Sequence, residues 1–148
     1  MKAIRRIMHP SDFSPASGAA FAKATELAKA SRAELVLVHV VDAVVPLGPD
    51  GYVPPNVYDE IQKSAQAYGQ KKLTALVDRA KKAGVRATPM LLQGSAYQGI
   101  LRAAKSKRPD MIVMGTHGRT GLAKLFLGSV AERVVASATC PVLTVRGR

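Results

Sequence analysis

Five short apolar runs alternate with four longer stretches of helical periodicity along this chain, and no tight-turn signal joins one run directly to the next. Parallel strands cannot be linked by two-residue turns; they need crossovers, and a helix is the usual one. The pattern therefore restricts the chain to an α/β sheet wound by right-handed crossovers. Residues 3–9 (AIRRIMH) hold the first run. Residues 34–41 (ELVLVHVV) hold the second, a β-branched run with little alternation, as a strand covered on both faces requires. Between them Ser14-Pro15 supplies a helix cap followed by proline at the first helical position, and Phe21, Ala24, Leu27 and Ala28 repeat at helical spacing.

Residues 42–56 (DAVVPLGPDGYVPPN) carry four prolines and two glycines, so no regular element can persist there and an exposed, functional loop is expected. Residues 57–83 place Val57, Ile61, Ala65, Tyr68, Leu73, Leu76 and Ala80 on one approximate face of a long helix closed by Gly84. Residues 85–92 (VRATPMLL) contain Pro89, which fits an edge strand. Gly94-Ser95 opens a helix with a capping box from Ser95 to Gln98 and with Ile100, Leu101 and Ala104 inward; Pro109-Asp110 ends it. Residues 111–114 (MIVM) read as a buried strand, 129–138 as a helix and 141–145 (PVLTV) as the last strand. The expected fold is a doubly wound, five-stranded parallel sheet with helices on both faces, in one domain spanning residues 1–148. Such sheets bind ligands beyond the carboxyl ends of their strands, where the winding reverses.

Composition narrows the classes further. With 47% hydrophobic and 22% charged residues the chain is neither disordered nor a disulfide scaffold, and Cys140, its only cysteine, has no internal partner. No apolar window reaches membrane-spanning length and MKAIRRIMHP is too weakly apolar for a secretory signal, so a cytoplasmic location is expected. Lys and Arg number 22 against 10 Asp and Glu, a net +12 that favours anionic partners: nucleotides, nucleic acid or acidic lipid. Most of these cations fall on helix ends and outer faces, and only 5% of residues are aromatic, so a nucleic-acid surface with stacking platforms is not expected.

The stretch MGTHGRTGLAKLFLGS, residues 114–129, stands at the binding edge. It lacks both the phosphate-loop pattern GxxxxGK[ST] and the dinucleotide pattern GxGxxG. Gly115, Gly118, Gly128 and Ser129 instead form G-x2-G-x9-G-S. Ser129 to Glu132 reads as a capping box, which sets the helix start at Ser129 and leaves the Val130 and Ala131 amides near an exposed helix end that suits an oxyanion. Gly115 and Gly128 would let that ligand approach the backbone; equally, the glycines serve as turns and Ser129 as a cap alone.

With HPSDFSP after the first strand, LVHVVD at the second and CPVLTV at the last, this pattern resembles the universal stress protein family, specifically its ATP-binding branch. The resemblance implies strand order 3-2-1-4-5, a homodimer, and ATP at the carboxyl edge with Mg2+ or Mn2+ held mainly by the phosphates. It implies that Asp12, with Pro10 beside it, lies near the ribose and adenine, and that backbone groups of Val40 meet the adenine edge. Gly115, Gly118, Gly128, Ser129 and Val130 then contact ribose and phosphates, with Met114 and His117 among them. Asp12 also suits an Asx-turn cap on the first helix. Arg119 and Lys124 are placed to offset phosphate charge or to be solvated surface. His9, His39 and His117 end neighbouring strands and raise zinc as a rival ligand. The implied function is an ATP-controlled dimeric switch in stress response with at most slow hydrolysis, its dimer formed through the open edge of the last strand. An adenylate-transferring or hydrolysing enzyme on the same scaffold, and a basic nucleic-acid binder, are the alternatives.

Overall fold

The computed structural model describes residues 2–42, 50–117 and 127–147. Its elements run β1 (Arg6–Pro10), α1 (Pro15–Ser31), β2 (Glu34–Val41), α2 (Pro55–Lys82), β3 (Ala87–Gln93), α3 (Ala96–Lys107), β4 (Met111–Gly115), α4 (Ser129–Ser137) and β5 (Val142–Val145). All strand pairs are parallel and the order is β3-β2-β1-β4-β5, as expected. β3, with Pro89, lies at one edge and β5 at the other. Of the proline-rich loop, residues 43–49 lie outside the described residues.

Alternation along the central strands divides the core. Ile7, Leu35, Leu37 and Val113 face α1 and α2, where they meet Phe21, Ala24, Ala28, Leu73, Val77 and Ala80. Met8, Val36, Val38, Ile112 and Met114 face α3 and α4, where they meet Ile100, Ala103, Ala131 and Val134. Because both faces are covered, β2 is buried almost throughout, which explains why apolar residues fill both faces of it with His39 as the one polar residue after Glu34.

Several local expectations shift. α2 begins at Pro55, and only its later turns, through Gly69, Leu73, Val77 and Ala80, are fully buried. Val57 and Tyr68, expected inward, are 38% and 51% exposed because the first half of the helix overhangs the sheet. In α3 the buried places belong to Gly99, Ile100 and Ala103, with Leu101 and Ala104 half-buried. Ser95 is the N-cap of α3 but makes no side-chain cap bond, so the Ser95–Gln98 box does not form. Ser14, in contrast, caps α1 by accepting from the Ser17 amide.

Three helices, α1, α2 and α3, close by left-handed turns where they reach the amino edge of the sheet, whereas α4 ends on an extended Ala138. α2 uses glycine: Gly84 has φ +86°, its N–H donates to the Lys81 carbonyl and that of Val85 to Ala80. α1 and α3 use Arg32 (φ 56°) and Arg108 (φ 49°) in the same role. A side chain in that region costs about 1 kcal/mol relative to glycine. Arg32→Gly and Arg108→Gly are therefore each expected to raise stability by about 0.5–1 kcal/mol in urea unfolding; a loss would show that these side chains, rather than the backbone, set the local energy.

Candidate functional site

The chain winds outward from β1 to β3 and then crosses to β4, so the segments leaving β1 and β4 diverge and open a crevice at the carboxyl edge. A cavity of about 440 Å³ fills it, within the range of small-molecule sites. Of the sequence-predicted residues, Pro10, Asp12, Val40, Met114, Gly115, His117, Gly128, Ser129 and Val130 all line this cavity. Gly118, Arg119 and Lys124 lie outside the described residues.

The segment after β1 is tightly tied. Ser11 N–H donates to the Val38 carbonyl at 2.8 Å and prolongs the strand pairing. Asp12 Oδ1 then accepts from the Ser14 amide at 2.9 Å and from the Ser17 hydroxyl at 2.6 Å, so the Asx-turn reading holds in a residue that also lines the cavity. Phe13, between these anchors, has φ 65°, an outlying conformation for a bulky residue. Its ring packs on His39 at 4.3 Å and edge-on to Tyr68 at 6.3 Å, contacts that offset the strain.

β2 ends between two glycines, one in the helix on each side. A Cβ on Gly99 would lie 2.7 Å from Val40 Cγ2, and one on Gly69 would lie 3.0 Å from His39 Cδ2. Glycine inside a helix is unfavourable by about 1 kcal/mol relative to alanine, yet here it lets α3 and α2 close onto the strand end that forms the cavity floor. Neither residue was anticipated; isolated glycines inside helical patterns were the signal. Ser11, Ser17, Val38 and Thr116 are further lining residues that the sequence did not single out, and Tyr68 and Ile100, expected only as inward helix positions, join them.

At β4, Gly115 is the last residue of the strand, paired with Val145; it lines the cavity, and a Cβ there would also meet the Ala16 backbone at 3.1 Å, so its bare backbone eases the packing of α1 as well. Gly147 meets the same residue: its added Cβ would lie 2.6 Å from Ala16 Cα. A 2.6 Å bond from Gly128 N–H to the Thr116 carbonyl returns the chain to the start of α4. The N-cap of α4 is Gly128, not Ser129, and Glu132 N–H makes the first helical bond to its carbonyl. Ser129 is thus the first helical residue, its side chain is relieved of capping, and the Ser129, Val130 and Ala131 amides precede that first bond.

The histidines do not form a metal centre: among the described residues no group of three His, Cys, Asp or Glu could hold a metal ion. His9 is fully buried against Phe21, with Nδ1–H donating to the Val113 carbonyl at 2.8 Å and Nε2 without a partner. His39 Nδ1–H donates to the Ser11 carbonyl at 2.7 Å. Both rings are used to tie neighbouring segments together.

Comparison with known proteins agrees with this architecture. The universal stress protein family profile matches residues 3–146. The chain belongs to the universal stress protein family. It is similar to universal stress protein MJ0531 of Methanocaldococcus jannaschii, 37% identical over 96% of this chain and 82% of that one. It is also similar to YxiE of Bacillus subtilis, 39% identical over 91% and 94% of the respective chains. Among solved structures, UspA of Lactobacillus plantarum superposes with a TM-score of 0.84 at 24% identity, covering 99% of this chain and 100% of that one. A universal stress protein in complex with cAMP superposes with a TM-score of 0.73 at 26% identity, covering 99% and 100%.

Burial sets the charge state of His9. Desolvation lowers its pKa from 6.5 to about 4, against the Val113 carbonyl bond and the Asp12 charge, which raise it. Below pH 6.5 the unfolded chain gains a proton that the folded chain refuses, so stability is complete above pH 6.5 and falls toward pH 4. The loss from this residue across that window is about 3 kcal/mol. Urea unfolding between pH 4.5 and 7.5 is expected to show His9→Gln with a shallower pH slope than the parent; equal slopes would assign the acid sensitivity elsewhere.

Proposed function

We propose that this universal stress protein binds an adenine nucleotide, ATP above all, in the cavity at the carboxyl edge and works as a ligand-controlled dimeric regulator of the stress response. The observation that carries the reading is the joining, in one cavity, of an apolar slot around Val40, Ile100 and Met114 with the first amides of α4. The slot suits a flat base, and the amides suit phosphate oxygens. The cAMP complex of a relative with this fold supports an adenine nucleotide as the ligand class.

In this reading Asp12 and Pro10 stand beside the sugar and base, and backbone groups of Val40 read the base edge. Gly128, Ser129 and Val130 receive the phosphates, with the Ser129 hydroxyl as an added donor. Met114, Gly115 and His117 complete the wall, and Gly118 and Arg119 join them on sequence grounds. Mg2+ or Mn2+ would be carried mainly by the phosphates, because no metal-binding group of three side chains exists among the described residues. Hydrolysis would be slow: Asp12 is bonded by the Ser14 amide and Ser17 hydroxyl and His39 by the Ser11 carbonyl, so neither is poised as a base. A cytoplasmic location fits a nucleotide ligand, and no helix among the described residues is long and apolar enough to cross a membrane.

Calorimetric titration tests the site. Gly128 has φ −62° and ψ 156°, open to any residue, so Gly128→Val adds bulk at the wall without backbone strain. ATP affinity is expected to fall at least tenfold, about 1.4 kcal/mol or more. Unchanged affinity in the folded variant would remove the phosphate assignment.

The dimer would form through β5, which among the described residues pairs only with β4 and carries Leu143, 37% exposed. Such an open edge invites a second copy. Sedimentation is expected to report twice the chain mass, and Leu143→Lys to shift it to that of the monomer; a monomeric parent at micromolar concentration would exclude the interface.

A further inference from the structure

Because every strand is parallel, all the segments that lead into strands gather at the amino edge, the face opposite the cavity. Across that edge, in sheet order, stand Arg86 before β3, Arg32 before β2, Arg5 before β1 and Arg108 before β4, all exposed. Neighbouring strands are about 4.8 Å apart, so these residues step across the edge as a row. Lys29, Lys81, Lys82, Lys105 and Lys107, from the last turns of α1, α2 and α3, flank it.

Two carboxylates at the strand entrances answer this charge, and Glu26 and Asp78, about a turn back from the ends of α1 and α2, lie near its flanking lysines. Glu34 is held by Arg6 at 3.0 Å and Asp110 by the Arg5 and Arg6 amides. Asp12, Asp42, Asp50, Asp59 and Glu60 instead lie toward the opposite edge or on the overhanging start of α2. Lysines in last turns serve their helix dipoles, which accounts for part of the pattern. It does not account for Arg32 and Arg108, which occupy left-handed positions where α2 uses Gly84. At both, the backbone would favour glycine and the side chain is the reason for arginine.

We infer that this amino-edge row is a docking surface for the phosphate backbone of double-stranded nucleic acid, independent of base sequence and separate from the nucleotide cavity. Guanidinium groups match phosphodiester oxygens in charge and in fork geometry. No aromatic ring lies at this edge among the described residues to stack unpaired bases, which favours a duplex over a single strand. Of the exposed large apolar residues, Tyr52, Val57 and Tyr68 lie away from it and Leu143 is within β5; Val135, in the last turn of α4, reaches the amino edge on the β5 side of the row, and one valine is too little apolar surface for insertion into a lipid.

The test uses the full chain and a fluorescent 24-base-pair duplex at 50–200 mM salt. Engagement of about four phosphates gives a log–log salt slope near −4. The double variant Arg32→Gly/Arg108→Gly, which relaxes the backbone at both positions, is expected to bind at least tenfold more weakly at 50 mM salt, with a slope shallower by about 2. Lys23→Gln/Lys63→Gln, which removes the same charge elsewhere, is expected to bind within twofold of the parent. Saturating ATP is expected to leave duplex binding unchanged. The inference is overturned by no binding at 50 mM salt, by equal weakening in the two variants, by displacement with ATP, or by tighter binding to phosphatidylserine vesicles than to the duplex.

Discussion

The reversal of winding at β1 is the constraint on which the rest of the molecule depends. β1 pairs with β2 on one side and β4 on the other, so the two halves of the chain leave it in opposite directions. Right-handed crossovers then require α1 and α2 on one face and α3 and α4 on the other. One consequence is a sheet buried on both faces. Another is that the turns after β1 and β4 separate at one edge, where the cavity forms without any dedicated insertion.

Helix packing shapes the cavity more than its own lining does. Gly69 and Gly99 let α2 and α3 descend onto the end of β2, while Gly115 and Gly147 let α1 descend onto the ends of β4 and β5. Four contacts of this kind hold the strand ends that form the floor, so the geometry is fixed by backbone approach rather than by side-chain filling. The outlying Phe13 conformation belongs to the same scheme, since its ring bridges from the β1 turn to His39 and Tyr68.

The strands were legible where burial is two-sided. β2 has the limits its sequence indicates because a β-branched run with little alternation, between Ala33 and Asp42, leaves little choice of boundary. Pro89 marked the edge strand for an equally local reason. The strand order came from the family resemblance, since periodicity alone does not rank strands across a sheet. The α4 cap was displaced by one residue because glycine and serine are both acceptable caps, and only the first helical bond, from Glu132 N–H to the Gly128 carbonyl, decides between them. Gly69 and Gly99 went unrecognised because their reason lies in a strand far away in sequence. The overhang of α2 was hidden similarly, as its apolar periodicity continues past the point where the sheet ends.

The seating of Gly147 against Ala16 bears on the order in which the molecule is completed. Ala16 belongs to the first turn of α1, beside the Asp12–Ser17 network at the cavity. The bonds within this turn are local in sequence, but the packing on it comes from a residue more than a hundred positions away. Closing so long a loop is entropically unfavourable, and the contact stabilises the turn only once the sheet is nearly assembled. The contact therefore forms late in folding, and the packing on the turn beside the cavity is a product of the assembled sheet rather than of local sequence.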